Sequence, residues 1–319
     1  MYAAVQQSAG APPRYLEFAE PVAAEGENLI EVRAAALHRI DRARASGKHY
    51  ASPRELPAVC GTDGVGVTQD GERVWFALPR APFGAMAERT VVPRWMCAPL
   101  PDEVGDAEAA ALINPGMGAY LPLAWRGRLV DGETVLVLGA TGVTGRLAVR
   151  LARLLGAGRV VAAGRDPRGL ESLDADAVIR LDRPREELVE AFTAAAGDTG
   201  YQVVVDYVWG EPVEALLAAL TTRSFQAATT ETRLVQVGDG AGPEITLSAG
   251  TLRSAAITLL GSGGFAPPDI RREAYGKLVG LAASGTLRVA TDQHPLADVE
   301  TLWTRGDQDG KRIVLRPVA

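Results

Sequence analysis

Residues 135–165 constrain the fold most, because they read as a strand, a glycine turn, a helix and a second strand in direct succession. Residues 135–138 are all apolar, which is typical of a parallel strand covered on both faces. Leucines and valines at helical spacing then continue to Gly156, and residues 160–163 form the second strand. The pattern predicts the repeating unit of a parallel sheet.

The glycine turn spans residues 139–145 and reads GATGVTG, with the spacing G-x-x-G-x-x-G. Such a turn lets backbone N–H groups and a helix N terminus approach a pyrophosphate closely. Its position between a strand and a helix predicts a dinucleotide site, and a tight turn without a ligand is the alternative. The residues expected to contact the dinucleotide here are Gly139, Thr141, Gly142, Val143 and Thr144.

Composition narrows the class of protein. The chain has 319 residues, enough for about two domains, with 47% hydrophobic and 23% charged residues and a net charge of −6. Because there is no basic run, nucleic acid is not an expected partner. No apolar span approaches ~18 residues and no signal-peptide pattern is present, so we expect a cytoplasmic protein without membrane contact. Two cysteines and three histidines leave few ligands for a metal.

The rest of the chain divides into two patterns. Short strands punctuated by glycine and proline precede residue 115 and predict a barrel-like β domain. Residues 106–112 and 117–125 read as helices around the turn Asn114-Pro115-Gly116. Strands then alternate with helices, which predicts a doubly wound parallel sheet. Residues 312–315 read as a last strand that returns to the first domain.

Several segments carry a resemblance to a known family. They read VRAAALHRIDRARASGKHY (32–50), LPAVCGTDGVGVT (56–68), FGAMAERTVVP (83–93), the glycine turn, and HPLADVETLW and DGKRIVL near the end. The chain resembles the zinc-free quinone oxidoreductase branch of the medium-chain dehydrogenase/reductase superfamily. The resemblance implies an α/β fold with a GroES-like β-barrel domain (1–113 and 265–319), a Rossmann dinucleotide-binding domain with a doubly wound parallel sheet (114–264), and an active site in the cleft.

Zinc is the first question that the resemblance raises. In zinc-dependent relatives a cysteine ligand matches His38 and a histidine ligand matches Thr62. Catalytic zinc needs three protein ligands, and threonine cannot replace the histidine, although a site of His38, Asp63 and Cys60 stays conceivable. We therefore expect no metal. Without a Lewis acid, hydride addition to an electron-poor quinone or enone needs less assistance than alcohol oxidation.

Three residues are candidates for catalysis. His38 stands where the family usually carries asparagine, and it could donate to a substrate carbonyl or act as an acid. Asp41 could orient His38, and Tyr50 could line the pocket and donate its hydroxyl. The alternatives are a packed histidine, a turn or cap aspartate, and an exposed loop aromatic. Asp63 is interpreted as a structural carboxylate.

The end of the second strand predicts the cofactor. The family register puts Gly164 where NAD-binding folds carry an acid, which leaves room for a 2′-phosphate. Arg165 offers a planar charged fork and Arg168 a second charge, whereas Asp166 keeps NAD as the alternative. NADPH is therefore expected. Residues at later strand ends or in matching family segments complete the predicted cofactor site: Asn114, Met117, Tyr207, Val237, Gly238, Ser262 and Gly263.

These observations favour an NADPH-dependent enzyme that reduces a quinone or an α,β-unsaturated carbonyl without metal. One alternative is an enoyl-thioester or biosynthetic ketone reductase on the same scaffold. Another is a non-catalytic NADPH-binding redox sensor. Residues 253–260 read as an apolar edge strand, which, with the resemblance, predicts a homodimer.

Overall fold

The computed structural model describes residues 1–221, 230–262, 266–305 and 310–317. The chain divides into two compact units, Met1–Asn114 with Gly276–Ala319, and Pro115–Tyr275. The domain boundaries expected from the sequence lie at 113/114 and 264/265. Among the helices of the described ranges, none has the length and apolar content needed to cross a membrane.

The elements are numbered in chain order. The strands are β1 Tyr2–Gln6, β2 Arg14–Glu17, β3 Glu27–Ala36, β4 Ala58–Val59, β5 Asp63–Thr68, β6 Arg73–Ala77, β7 Arg89–Pro93, β8 Cys97–Pro99, β9 Thr134–Leu138, β10 Arg159–Gly164, β11 Ala177–Arg180, β12 Val203–Asp206, β13 Thr232–Gln236, β14 Ile257–Gly261, β15 Thr291–Pro295 and β16 Arg312–Arg316. The helices are α1 Arg39–Ala45, α2 Asp106–Leu121, α3 Val143–Leu154, α4 Pro167–Glu171, α5 Arg185–Ala196, α6 Gly210–Leu220, α7 Ala249–Ser254, α8 Pro268–Ala283 and α9 Val299–Leu302.

The first unit is built on two sheets. One has the order β2-β1-β4, and the other has the order β15-β16-β3-β5-β6-β8, with β7 also paired to β3. Its core is apolar and closed to solvent around Ile30, Leu37, Phe76, Met86 and Ile313. Since β16 pairs with β3, the prediction that the last strand returns to the first part of the chain is confirmed.

The second unit is a parallel sheet with the order β11-β10-β9-β12-β13-β14. Every described pairing in it is parallel, and the order is that of a dinucleotide-binding fold with its switch point between β9 and β12. The central strand β9 is fully buried, as its unbroken apolar sequence predicts. The predicted doubly wound parallel sheet is confirmed.

One local prediction is wrong. The sequence places a turn at Asn114-Pro115-Gly116, but α2 continues through these residues to Leu121 and is followed by a π-helical turn, Pro122–Arg126. A proline inside a helix removes one hydrogen bond and costs about 3 kcal/mol. Burial on both sides offsets that cost, because Leu112, Ile113 and Ala119 are fully or almost fully buried. Packing here overrides the local signal.

Among the described strands, β11 and β14 form the two edges of the parallel sheet. The edge position of β14 confirms the sequence prediction, although residues 253 and 254 belong to α7 instead of the strand. Each edge carries an exposed apolar side chain. Leu259 on β14 is 38% exposed and Val178 on β11 is 51% exposed.

Candidate functional site

The glycine turn joins β9 to α3 through a left-handed residue. Gly139 has φ +86°, a conformation that L side chains rarely adopt. The N–H groups of Gly139 and Ala140 both donate to the carbonyl of Ala163 on β10, each at 2.9 Å. A Cβ at Gly145 would lie 2.2 Å from the Gly139 carbonyl oxygen, so helix and turn are in direct backbone contact. Two of the three glycines therefore serve packing.

The middle glycine faces open space. Gly142 is the N-cap of α3 and is exposed, and a Cβ there would meet only the Gly139 oxygen, at 3.8 Å. The first-turn N–H groups of a helix have no intrahelical acceptor, so those of Val143 and Thr144 can bind an anion. This open helix N terminus fits the pyrophosphate of a dinucleotide, as the sequence predicts.

The space beside Gly164 is not open. A Cβ at Gly164 would lie 2.8 Å from Thr141 Cγ2, 3.1 Å from Thr141 Oγ1 and 3.4 Å from Leu170 Cδ2. The interpretation that Gly164 leaves room for a phosphate is therefore wrong, because the Thr141 side chain occupies that room. Glycine is needed here so that β10 and the glycine turn can approach each other.

The charged residues after β10 lie at the surface. Arg165, Asp166 and Arg168 are all exposed, and Asp166 is the N-cap of α4. The Asp166 carboxylate folds back over the helix start, with Oδ2 2.5 Å from the position of a Cβ on Gly169. Within the described ranges neither arginine forms an ion pair. Both arginines remain free to meet a phosphate.

The residues after β12 and β13 contact one another. The Tyr207 hydroxyl donates to the Gly118 carbonyl at 3.0 Å, and burial raises the Tyr207 pKa. The N–H groups of Val237 and Gly238 donate to the Asp206 carbonyl at 2.8 and 3.2 Å. A side chain at Gly238 would press against the Tyr207 carbonyl oxygen, 3.0 Å from its Cβ. The sequence-predicted strand ends therefore lie together in the second unit.

Three further residues were predicted to contact the cofactor: Ser262, Met117 and Gly263. Ser262 follows β14, and its N–H donates to the Gln236 carbonyl at 2.9 Å. Met117 is half-buried on α2. Gly263 lies outside the described residues.

Asp206 is a functional candidate that sequence reasoning did not single out. Its Oδ1 accepts from the N–H groups of Val208 and Trp209 at 2.8 and 3.0 Å, whereas its buried Oδ2 has no hydrogen-bond partner in the described structure. Burial raises the pKa of Asp206 to about 6. An aspartate that ends an otherwise apolar strand, VVVD, is the sequence signal that could have identified it.

The raised pKa of Asp206 predicts a pH dependence of stability. The folded chain holds the proton up to about pH 6, but the unfolded chain releases it near the ordinary aspartate pKa of 3.8. Stability is therefore lost as the pH rises from 4 to 6, by about 3 kcal/mol at 1.36 kcal/mol per pKa unit. Asparagine cannot release this proton, so Asp206→Asn should not lose this stability. In urea unfolding, the free energy of unfolding of Asp206→Asn minus that of the unmodified protein should therefore rise by about 3 kcal/mol between pH 4 and pH 7. A difference that does not change with pH would contradict the assignment.

A buried polar cluster in the first unit is centred on Asp63, which is 1% exposed. Its Oδ1 accepts from Asn114 Nδ2 at 2.6 Å and lies 3.0 Å from Thr62 Oγ1, and its Oδ2 accepts from Trp75 Nε1 at 3.3 Å. His38 Nε2 lies 3.4 Å from Asp63 Oδ1. Asp63 therefore joins β6 and α2, two segments distant from it in sequence, as the interpretation of a structural carboxylate implies.

His38 and Asp41 begin α1 and are both buried. Asp41 Oδ2 accepts from the His38 backbone N–H at 2.8 Å, and Asp41 Oδ1 accepts from the Thr62 backbone and hydroxyl at 2.9 and 3.0 Å. Burial raises the pKa of Asp41, while the neighbouring His38 lowers it. The imidazole Nε2 of His38 is buried and has no aligned hydrogen-bond partner in the described residues, despite its approach to Asp63.

Neither Tyr50 nor Cys60 takes part in the hydrogen bonds described for Asp63 and Asp41. Tyr50 is 83% exposed, and its ring lies against His49 with centroids 4.1 Å apart. Burial raises the pKa of the Cys60 thiol to about 12, so it is not a thiolate nucleophile at neutral pH. In the parts of the chain that the structure covers, no three His, Cys, Asp or Glu residues are grouped to hold a metal.

Comparison with known proteins decides the family. No family model matches the sequence. The chain is 30% identical to the probable NADPH-dependent quinone reductase tdiC of Emericella nidulans, over 99% of this chain and 100% of that protein. It belongs to the quinone oxidoreductase branch of the medium-chain dehydrogenase/reductase superfamily.

Two further relatives of this quinone oxidoreductase branch match more than nine-tenths of the chain. Quinone oxidoreductase 1 of Escherichia coli is 26% identical over 94% of both proteins. The solved structure of the Thermus thermophilus quinone oxidoreductase, which was also determined with NADPH, is 29% identical over 99% of this chain and 100% of that one, with a TM-score of 0.78. The family resemblance and the α/β fold with a GroES-like and a Rossmann domain are confirmed.

Proposed function

We propose that this protein is an NADPH-dependent oxidoreductase that transfers a hydride to a quinone or an α,β-unsaturated carbonyl. The open N terminus of α3 at Gly142 carries the proposal, because it offers backbone N–H groups to a pyrophosphate within a quinone oxidoreductase sequence. The relative that is 30% identical is named as an NADPH-dependent quinone reductase. We further propose that the protein is cytoplasmic and acts without metal.

The bound NADPH would supply the hydride, and the chain supplies binding and orientation. Val143 and Thr144 offer backbone N–H groups to the pyrophosphate, and Gly142 keeps its approach open. Arg165 and Arg168, which are exposed after the end of β10, would supply positive charge to a phosphate on the adenosine ribose. The predicted cofactor residues that follow the later strands, which include Ser262, lie at the carboxyl ends of parallel strands and therefore at the same edge of the sheet as the glycine turn.

We propose different roles for the three catalytic candidates. A buried nitrogen without a hydrogen-bond partner is unfavourable, so a substrate oxygen that reaches His38 Nε2 would satisfy it as negative charge develops. Asp41 is a positioning residue, because it binds the backbone of His38 and Thr62. The exposure of Tyr50 favours the alternative of a loop aromatic.

The proposed activity is tested by NADPH oxidation under anaerobic conditions against quinones, enones and enoyl thioesters, with and without a chelator. We expect turnover with quinones or enones that the chelator does not change. Turnover confined to thioesters would favour the first alternative. Tight NADPH binding without turnover on any class would favour the redox sensor.

We also propose a homodimer that pairs the β14 edges of two copies. An exposed edge strand with apolar side chains such as Leu259 is a template for pairing, and a lysine there opposes it. In light scattering at micromolar concentration the unmodified protein should be a dimer and Leu259→Lys a monomer. Val178→Lys, on the opposite edge, is the matched control and should leave the dimer intact. A monomeric unmodified protein would refute the proposal.

A further inference from the structure

Arg146 joins the glycine turn to the segment that follows α4. It lies on the first turn of α3 and is half-buried. Its Nε donates to the Thr141 carbonyl at 3.0 Å, and its Nη1 donates to Ser172 Oγ at 2.8 Å. The guanidinium is therefore held in one place by two hydrogen bonds to neutral groups.

The remaining nitrogen of Arg146 has no such partner. Nη2 lies 3.0 Å from the position of a Cβ on Gly169, and it makes no hydrogen bond with any described residue. The Asp166 carboxylate approaches the same point but forms no ion pair with the guanidinium. Within the described structure, Arg146, Arg165 and Arg168 thus place three positive charges around the end of β10 without a bonded carboxylate.

We propose that Arg146 is a specificity-determining residue that binds the 2′-phosphate of NADPH. The inference rests on the proposed function, since it assumes a dinucleotide on the glycine turn. In such folds the adenosine ribose lies at the end of the second strand, which here is β10. Gly164 at that end touches Thr141, and the Thr141 carbonyl anchors Arg146. A ribose bound at that end of β10 and the Arg146 guanidinium would therefore both be neighbours of Thr141.

The anchoring of Arg146 matters for affinity. A guanidinium that is already ordered loses less conformational entropy when it binds a phosphate than a mobile surface side chain does. Arg165 and Arg168 are exposed and would add positive electrostatic potential around the phosphate, whereas Arg146 would supply a hydrogen-bond donor in a fixed position. From the sequence, phosphate contacts are predicted for Arg165 and Arg168, which follow the strand end, but not for Arg146 on α3.

The test compares ligands that differ only in the 2′-phosphate: NADPH with NADH, and adenosine 2′,5′-bisphosphate with AMP. Affinities are measured by calorimetric titration for the unmodified protein, Arg146→Gln, Arg146→Lys and Arg150→Gln. Arg150 is the matched control, because it is exposed on the same helix. Arg146→Gln should weaken NADPH and the bisphosphate about 10- to 100-fold, which is about 1.4 to 2.8 kcal/mol, and NADH and AMP less than twofold. Arg146→Lys should retain part of the affinity and Arg150→Gln all of it.

Two outcomes overturn the inference and one overturns the function. An equal loss of affinity for both members of each pair would make Arg146 a support for the glycine turn only. Unchanged NADPH affinity in Arg146→Gln would assign the phosphate to other residues. Failure of the unmodified protein to bind either dinucleotide would refute the proposed function itself, and with it the role of Arg146. Because the phosphate gains a proton near pH 6, the preference of the unmodified protein for the bisphosphate should also fall below that pH.

Discussion

Gly142→Val is expected to weaken NADPH binding by at least about 100-fold, or about 2.7 kcal/mol, while the free energy of unfolding changes by only about 1 kcal/mol. The Gly142 backbone has φ −74° and ψ 164°, which valine adopts readily. The new side chain would meet no protein atom closer than the Gly139 oxygen at 3.8 Å from its Cβ. It would instead fill the approach to the N–H groups of α3. Fluorescence titration with NADPH and urea unfolding measure the two quantities.

Gly145→Ala is the informative contrast within the same motif. Its Cβ would lie 2.2 Å from the Gly139 oxygen and 2.6 Å from the Ala140 Cα, both backbone atoms that cannot move aside cheaply. We expect this smaller substitution to destabilise the fold by about 2 kcal/mol or more, the range for strain in a packed core.

For Gly142→Val, an NADPH affinity equal to that of the unmodified protein would show that the pyrophosphate binds elsewhere.

Removal of the Asp63 carboxylate should produce the largest loss of stability. Asp63→Ala would remove the acceptor of Asn114 Nδ2 and of Trp75 Nε1 in the polar cluster, while the Thr62 hydroxyl would keep Asp41 Oδ1 as its acceptor. Each stranded buried donor costs about 1–3 kcal/mol, so we expect the free energy of unfolding to fall by about 3–5 kcal/mol. Urea denaturation at pH 7 measures it.

Two variants serve as controls for Asp63→Ala. Asp102→Ala removes an exposed carboxylate from the same unit and should change the free energy of unfolding by less than about 0.5 kcal/mol. Asp63→Asn keeps the shape and one acceptor oxygen, so its loss should be intermediate. Equal stability of Asp63→Ala and Asp102→Ala would mean that the buried cluster contributes nothing to the fold.

The parallel sheet and the glycine turn could be predicted because their signals are local. Strand, turn and helix follow one another within residues 134–154, and each element has its own pattern of apolar residues or glycines. The turn at Pro115 was wrong for the opposite reason. Its local signal was strong, but burial on both sides of the proline keeps the helix continuous.

The buried cluster could not be predicted from spacing. Asp63 and Asn114 are 51 positions apart, and only the fold of the first unit brings their side chains to 2.6 Å. Sequence reasoning treated Asn114 as a cofactor contact and Asp63 as a separate structural residue. Arg146 could have been selected from the sequence, because a basic residue on the first turn of the helix that follows a dinucleotide glycine turn is visible there.

The pairing of β16 with β3 has a consequence for the order in which the chain can fold during synthesis. Ala35 and Ala36 at the end of β3 pair with Leu315 and Val314, which are synthesised only after the whole of the second unit. The second unit is continuous in sequence and can complete its sheet earlier. Until β16 is synthesised, the end of β3 in the first unit has an unpaired edge, to which a chaperone or a second nascent chain could bind. Synthesis of β16, and not synthesis of the strands β3 to β8, therefore sets the moment at which this sheet of the first unit can be completed.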